Sequence, residues 1–127
     1  MRNKDVTSLL LPFTLALAFV GAACSAVAAP YVVEGKTVRI LDGDTIEILD
    51  AKNVTHKIRL AEIDAPEKAQ PFGKDSKAAL SKMVFGKQVT VKVSTKDRYQ
   101  REIGNVYLGD VDVNGSLVKY GWCHVYT

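Results

Sequence analysis

The sequence is poor in the residues that build disulfides and zinc sites. Its 127 residues include two cysteines, Cys24 and Cys123, and two histidines. Cys24 lies in an N-terminal segment that we interpret as a cleaved leader, which leaves one cysteine and no intramolecular disulfide. Neither paired cysteines nor spaced histidines are present to form a zinc site. A small domain of this kind must be stabilised by its core, by a different bound ion, or by both.

The chain also lacks a strong charge of either sign, internal repeats, low-complexity tracts and linkers. Its net charge is +3, and without Arg2, Lys4 and Asp5 of the leader 15 basic and 13 acidic residues remain. This weak positive charge does not by itself indicate a nucleic-acid partner. The length and the absence of a linker predict one small domain.

The long apolar run is confined to the N-terminus. "MRNKDV" carries two basic residues, "LLLPFTLALAFVGAAC" is apolar, and "AVAAP" supplies small residues, with Ala26 and Ala28 suitably placed before a cut. This layout predicts a secretory signal peptide over residues 1–28 and a mature domain over 29–127, secreted or periplasmic and free of the membrane. A membrane anchor and a lipoprotein cut before Cys24 are alternatives, the second weakened by Gly21 where leucine is usual.

Alternating apolar residues then predict strands. "YVVEGKTVRIL" (31–41), "TIEIL" (45–49) and "VTHKIRLAEI" (54–63) form three consecutive strands, separated by the turn sequences "DGD" and "DAKN". Two more follow, "QVTVKVS" (88–94) and "IGNVYLG" (103–109). On the apolar side of the third strand, His56 is expected to be a half-buried structural histidine.

Two helices interrupt this pattern. Residues 74–85 have apolar side chains at helical spacing, with Asp75 or Ser76 as possible caps and Gly86 at the end. A second helix is predicted from Asn114 to Gly121. Five antiparallel-type strands with an inserted helix indicate a mainly β, α+β protein, a five-stranded Greek-key barrel of the OB type with packed helices.

Carboxylates mark two chain breaks. Asp42 and Asp44 lie in "DGDT", and Asp64 and Glu67 lie in "IDAPE". Such oxygen ligands suit calcium or magnesium. Asp and Gly are equally common in turns for backbone reasons, so an ordinary turn remains an alternative.

Two arginines could complement these acids. Arg59 lies on the strand face opposite the apolar set, where a solvated position is the alternative, and Arg101 lies in "DRYQRE" between two strands. Guanidinium groups bind the oxygens of a phosphodiester in its charged transition state. Arginines, carboxylates and a hard metal together suit phosphodiester cleavage.

The segments "ILDGDTIEI", "IRLAEIDAPE", "FGKDSKAAL", "DRYQR" and "NGSLVKYGW" occur in that order. They resemble the staphylococcal nuclease (thermonuclease) family over about residues 35–122. The resemblance implies an OB-fold barrel and an enzyme that cuts DNA and RNA with one calcium ion, leaving 3′-phosphate and 5′-hydroxyl ends. The sequence is silent on oligomeric state; we assume a monomer and predict no stable protein partner.

The resemblance also implies roles for individual residues. Asp44, Asp64 and the backbone carbonyl of Thr45 would ligate calcium, with Asp42 behind them. Glu67 would be the general base that takes a proton from water or orients it, presented after the rigid Pro66. Arg59 and Arg101 would bind the scissile phosphate. Arg98 and Tyr99 would contact the terminal phosphate of the nucleotide.

Two features depart from the family pattern. Gln100 stands where "D-[KR]-Y-G-R" has glycine, so a positive φ there would strain the residue or shift Arg101. The chain stops at Thr127, where family members continue into another helix, so that C-terminal helix is expected to be missing. Two alternatives therefore stay open: an OB-type nucleic-acid-binding module that has lost catalysis, and a truncated, inactive nuclease. Cys123 is expected to be a small buried residue and not a nucleophile.

Overall fold

The computed structural model describes residues 29–67 and 70–125. The predicted signal peptide, residues 1–28, lies outside these residues. No helix in the described ranges combines the length and apolar character needed to cross a membrane.

Five strands close into a barrel, which confirms the fold class predicted from the sequence. They are β1 (Tyr31–Asp42), β2 (Thr45–Leu49), β3 (Thr55–Leu60), β5 (Gln88–Lys96) and β6 (Glu102–Leu108), and two-residue strands lie at β4 (Ile63–Asp64), β7 (Val111–Asp112) and β8 (His124–Val125). The sheet order is β3-β2-β1-β5-β6-β7, and a parallel pairing of β3 with β6 closes the barrel.

The long first strand takes part in both halves of the barrel. Its N-terminal half pairs with β5 and its C-terminal half with β2. The register with β2 shifts between Thr37 and Arg39 and again between Ile40 and Asp42. Such irregularities bend a strand and increase its twist, which a closed five-stranded barrel requires.

The barrel interior is filled by the apolar set that alternation predicted. Branched aliphatic side chains from all five strands meet there, and burying them removes their surface from water. The most deeply buried of these are Ile46, Ile48, Ile58, Leu60, Val89, Val91, Val93 and Val106.

Helix α1 spans Gly73–Val84, and its start differs from the prediction. Neither Asp75 nor Ser76 caps it: the N-cap is Phe72 in the left-handed region, without a side-chain cap. Ser76 is fully buried one turn inside the helix, where its hydroxyl donates to the Gly73 carbonyl. Gly86 with φ 76° follows the helix, at the end that was predicted.

Helix α2 spans Val113–Lys119 and begins one residue before the predicted start. Asp112 is its cap and accepts a hydrogen bond from the Gly115 amide. Asn114 is instead a buried bridge: its side chain accepts from the Val106 amide and donates to the carbonyls of Ala61 and Gly104. This bridge fixes the helix against the barrel.

A polar cluster lies at one end of the barrel and confirms His56 as a structural histidine. Its Nδ1 lies 2.6 Å from Glu102 Oε1 and its Nε2 lies 2.7 Å from Asp50 Oδ2. The Tyr31 hydroxyl donates to the other Glu102 oxygen at 2.6 Å. The cluster therefore connects β1, the β2–β3 turn, β3 and β6, and it includes the two strands, β3 and β6, whose pairing closes the barrel.

Candidate nuclease-like site

Most of the charged residues predicted from the sequence to be functional line one pocket of about 180 Å³. It is lined by Asp42, Asp44, Thr45, Arg59, Asp64, Ala65, Pro66, Glu67 and Arg101. These residues come from three separate places: the β1–β2 turn, the segment from β3 to the loop after β4, and the β5–β6 turn. The barrel therefore brings together seven of the nine predicted site residues.

A larger groove of about 660 Å³ lies between the two helices. Its lining is mostly apolar, with Ala78, Ala79, Met83 and Trp122 among the residues that form it. Neither arginines nor paired carboxylates line it. Its chemistry does not suit a charged substrate, and the smaller pocket is the candidate site.

Asp44 is held rigidly in the β1–β2 turn. Its Oδ1 accepts from the Thr45 hydroxyl at 2.9 Å, and its Oδ2 accepts from the Ala65 amide at 2.9 Å. Its backbone carbonyl accepts from the Leu60 amide at 2.8 Å. Asp44 is only 8% exposed. The carboxylate thus joins two loops of the site, and the alternative of a simple solvated turn does not describe it.

Gly43 lets this turn approach helix α1. A Cβ atom at this position would collide with the Ser76 side chain and would lie 2.9 Å from the Ala65 Cβ. Only a residue without a side chain allows the turn to pack this closely. The glycine in "DGD" is therefore required by packing against the helix.

Arg59 is not a solvated strand residue. Its side chain is 17% exposed, and its Nη1 donates to the carbonyls of Leu60 and Ile63 at 2.7 and 2.8 Å. Its Nη2 lies 3.4 Å from Asp44 Oδ2 and 3.3 Å from Asp64 Oδ1. One guanidinium group therefore neutralises part of both carboxylates and fixes the chain that carries Asp64.

The loop after β4 presents two acids to solvent. The Asp64 side chain is 58% exposed, and Glu67 is also exposed while lining the pocket. Pro66 restricts φ just before Glu67, and the Glu67 amide donates to the Gln70 side chain at 2.7 Å. The site thus combines the buried carboxylate of Asp44 with two accessible ones.

The β5–β6 turn brings Arg101 to the pocket. Gln100 has φ 67°, so it takes the left-handed conformation that glycine adopts most easily. Of the two consequences expected, the strained backbone is the one observed, since Arg101 still lines the pocket. Such a conformation costs about 1–3 kcal/mol for a residue other than glycine.

Arg98 and Tyr99 lie beside the pocket and do not line it. The Arg98 guanidinium donates to the Tyr99 hydroxyl at 2.9 Å and lies 5.0 Å from the ring centroid. The Arg101 guanidinium lies 5.5 Å from the same ring, which is 62% exposed. The two residues therefore form an exposed, positively charged shelf next to Arg101.

Cys123 lies under the site as a protonated thiol. It is 4% exposed, and its Sγ donates weakly to the Gly43 carbonyl at 3.5 Å. Burial, reinforced by the charge of Asp44, raises the thiol pKa to about 12. The expectation of a small buried residue is confirmed, and the high pKa removes the nucleophilic thiolate at neutral pH.

Comparison with known proteins agrees with this geometry. The family model described as "Staphylococcal nuclease homologue" matches residues 57–127, more than half of the chain. The chain belongs to the staphylococcal nuclease family.

Relatives within the staphylococcal nuclease family extend the match to the N-terminal half. An uncharacterized endonuclease of Haemophilus influenzae is 43% identical over 128 residues, covering 99% of this chain and 67% of that protein. An uncharacterized endonuclease of Escherichia coli O157:H7 is 45% identical over 95 residues, 74% of this chain and 61% of that protein. A micrococcal nuclease of Shigella flexneri is 47% identical over 73 residues, 58% of this chain and 41% of that protein. The chain thus spans about two thirds or less of these relatives.

The oxygen donors of the staphylococcal-nuclease-like pocket fit a hard cation. Asp44 and Asp64 both approach the same nitrogen of Arg59, so the two carboxylates lie close together around one cationic group. In residues 29–67 and 70–125 no three acidic, histidine or cysteine side chains form a metal-binding cluster. The candidate donors are therefore the carboxylates of Asp44 and Asp64 and the carbonyl of Thr45, all from residues that line the pocket, and such oxygen ligands suit calcium or magnesium with water as the further ligands.

Sequence reasoning missed two contributors to this site. Asp97 binds the Arg101 side chain, and the Ala65 amide holds Asp44. Asp97 left a signal, as an acid four residues before an arginine in a tight turn. The Ala65 amide left none, because its contact joins segments that are far apart in sequence.

Proposed function

We propose that this chain is an exported, calcium-dependent, sequence-nonspecific nuclease that hydrolyses phosphodiester bonds of DNA and RNA. Its products would carry 3′-phosphate and 5′-hydroxyl ends. The observation that supports this most directly is the single pocket in which Arg59 and Arg101 face Asp44, Asp64 and Glu67. Relatives named as nucleases and endonucleases support the same reaction class.

The two arginines would bind the scissile phosphate. Arg59 is fixed by four partners, so its position would change little when substrate enters. Arg101 would contribute a second guanidinium group from the β5–β6 turn, which also lines the pocket. Planar guanidinium groups stabilise the charge that gathers on the phosphate oxygens as water attacks.

Glu67 would accept the proton of the attacking water. Its carboxylate is exposed at the pocket and follows a proline, so it can reach solvent while its backbone is restrained. The oxygen of water would bond to phosphorus, the bond to the 5′-oxygen would break, and that oxygen would leave as the hydroxyl after taking up a proton.

Calcium would be held by Asp44, Asp64 and the Thr45 carbonyl. When bound there, a calcium ion supplies positive charge that stabilises the phosphate oxygens. Asp42 lines the same pocket and would add negative charge behind these ligands. Arg98 and Tyr99 would contact a terminal phosphate from their exposed shelf.

The decisive experiment measures cleavage of single-stranded DNA and of RNA by the purified chain, with calcium and with a chelator. Glu67→Gln should lower kcat by about 10²–10⁴, the range for losing a general base. Glu62→Gln is the matched control, because Glu62 is exposed nearby but does not line the pocket.

Cleavage that survives the chelator, or that persists in Glu67→Gln, would contradict the proposed metal-dependent mechanism. Tight DNA binding without cleavage by the wild type would favour the non-catalytic binding module. End-labelling of the products distinguishes 3′-phosphates from 3′-hydroxyls. N-terminal sequencing of exported protein tests the predicted cut before Ala29.

A further inference from the structure

The two arginines of the pocket are held in different ways. Arg59 uses both terminal nitrogens for protein contacts. Arg101 donates from Nε to Asp97 Oδ2 at 2.7 Å. Within the described ranges, no hydrogen bond from its terminal nitrogens to another protein group is found. Arg101 is therefore the arginine with both terminal nitrogens available to a ligand.

Asp97 divides its two oxygens between two tasks. Its Oδ1 accepts from the backbone amides of Tyr99 and Arg101, at 2.9 and 3.0 Å, which folds the turn. Its Oδ2 accepts from the Arg101 side chain, which sets the direction of the guanidinium group. The backbone of Asp97 closes the turn as well, donating to the Arg101 carbonyl at 3.0 Å.

We propose that Asp97 is a positioning residue that orients Arg101 toward the scissile phosphate. A hydrogen bond at Nε restrains the plane of the guanidinium group and leaves its two terminal nitrogens free to bind a ligand. The long side chain then loses less freedom when the phosphate binds, and the charge is in place before the transition state forms. This inference rests on the proposed nuclease function.

The ionisation of Asp97 is consistent with this role. Burial favours the neutral carboxyl, but hydrogen bonds from Arg101 and from the Tyr99 amide outweigh it and lower the Asp97 pKa. The side chain carries its negative charge throughout the neutral range. The Arg101 guanidinium also lies 5.5 Å from the centroid of the Tyr99 ring, a second contact of the same group.

Asp97→Asn separates the two tasks. Its amide oxygen can still accept the two backbone hydrogen bonds, whereas its NH₂ group cannot accept from Arg101 Nε. We expect a melting temperature close to that of the wild type and a fall in kcat of about 10–100-fold, with a smaller change in KM. Asp110→Asn removes the same charge at an exposed site outside the pocket and is the matched control.

Coupling to Arg101 distinguishes positioning from a structural role. In an Arg101→Ala background, Asp97→Asn should cause no further loss of kcat/KM. A loss that adds in full to that of Arg101→Ala, or an Asp97→Asn variant as active as Asp110→Asn, would overturn the inference while leaving the nuclease function intact. A wild type without cleavage would overturn the proposed function itself, and this inference with it.

A second measurement does not depend on any variant folding. In the wild type, NMR should show the Nε–H of Arg101 exchanging with solvent about tenfold more slowly than that of the exposed Arg98, because only the first is hydrogen bonded. Equal exchange rates would show that Asp97 does not hold Arg101 in solution and would overturn the inference.

Discussion

Raising the pH should weaken the polar cluster at the end of the barrel. His56 lies between Asp50 and Glu102 with both ring nitrogens within 2.7 Å of a carboxylate oxygen. Both nitrogens can donate only when the ring is an imidazolium. Above the pKa of His56, one nitrogen presents a lone pair to a carboxylate, and a favourable contact becomes a repulsive one.

The direction follows from the pKa values. Burial lowers the pKa of His56, but the hydrogen bonds to Asp50 and Glu102 outweigh burial and raise it above its ordinary value of 6.5. A group with a raised folded pKa stabilises fully below its unfolded pKa, and this stabilisation is lost as the pH rises through the folded value. The window of loss therefore begins above about pH 6.5.

The acid side of the profile is set by Asp50. Its pKa is lowered below 3.8, chiefly by the hydrogen bond from His56 and also by the Val54 and Lys52 amides. Its contribution is present above its unfolded pKa and is lost as the pH falls through the lower folded value. The cluster is thus most stabilising between about pH 4 and 6.5.

The expected size follows from the bonds involved. A hydrogen bond to a charged group contributes about 1.5–3 kcal/mol, and deprotonation removes one such bond from a partly exposed ring. Because the ring is partly exposed, solvent screens this bond, so we expect a loss of about 1 kcal/mol of unfolding free energy, which lowers Tm by roughly 4–8 °C in a domain of this size.

The assay is urea unfolding at a series of pH values from 5 to 9, followed by circular dichroism. His56→Gln should remove most of the loss above pH 6.5, while His124→Gln, which changes the other histidine, should retain it. A wild-type stability that stays constant or rises from pH 6.5 to 9 would refute the assignment of His56 as a bound imidazolium.

Two further substitutions test the local geometry of the site. Gln100→Gly should stabilise the chain by about 1 kcal/mol of unfolding free energy and so raise the urea midpoint, because glycine adopts a positive φ without strain. An unchanged or lower midpoint would contradict the strain. Gly43→Ala should destabilise the chain by about 1–3 kcal/mol and lower nuclease activity, because the new methyl group collides with Ser76 and moves Asp44. Gly109→Ala is its control, since a Cβ atom there has no neighbour within 4 Å. The φ of 60° at Gly109 adds strain of its own, which affects stability. Equal nuclease activity in the two variants would contradict the packing argument.

Much of the fold was predictable because strands can be recognised from the local sequence pattern. The alternation of apolar and polar residues indicated which side of each barrel strand faces the core, and turn residues marked the breaks between strands. The helix starts were less predictable. Phe72 precedes α1 in a left-handed conformation without a side-chain cap, and Asn114, which has the composition of a helix start, instead bridges α2 to the barrel through tertiary contacts.

The candidate site was predictable in its residue types and less so in its connections. Acids at chain breaks and two arginines suggested a phosphate site, and the order of the motifs indicated the family. Which groups hold Arg59 could not be read from this pattern. The partners of Arg59 are backbone carbonyls and two carboxylates, and they come together only when β3 and its following loop fold against the β1–β2 turn.

The sequence by itself determined the barrel strands, the inserted helix and the chemical types that gather at the pocket, because these depend on local periodicity and on the side chains themselves. Only the tertiary structure decided that Asp44 is buried and shared between two loops, that Gln100 takes a positive φ without displacing Arg101, and that Asp97 leaves the Arg101 fork free. The burial of Asp44 depends on separate segments meeting at hydrogen-bond distance, since the amides of Ala65 and Leu60 donate to it. The other two features arise within the β5–β6 turn, because the residue types alone fix neither the φ of Gln100 nor the hydrogen-bond partner of Arg101.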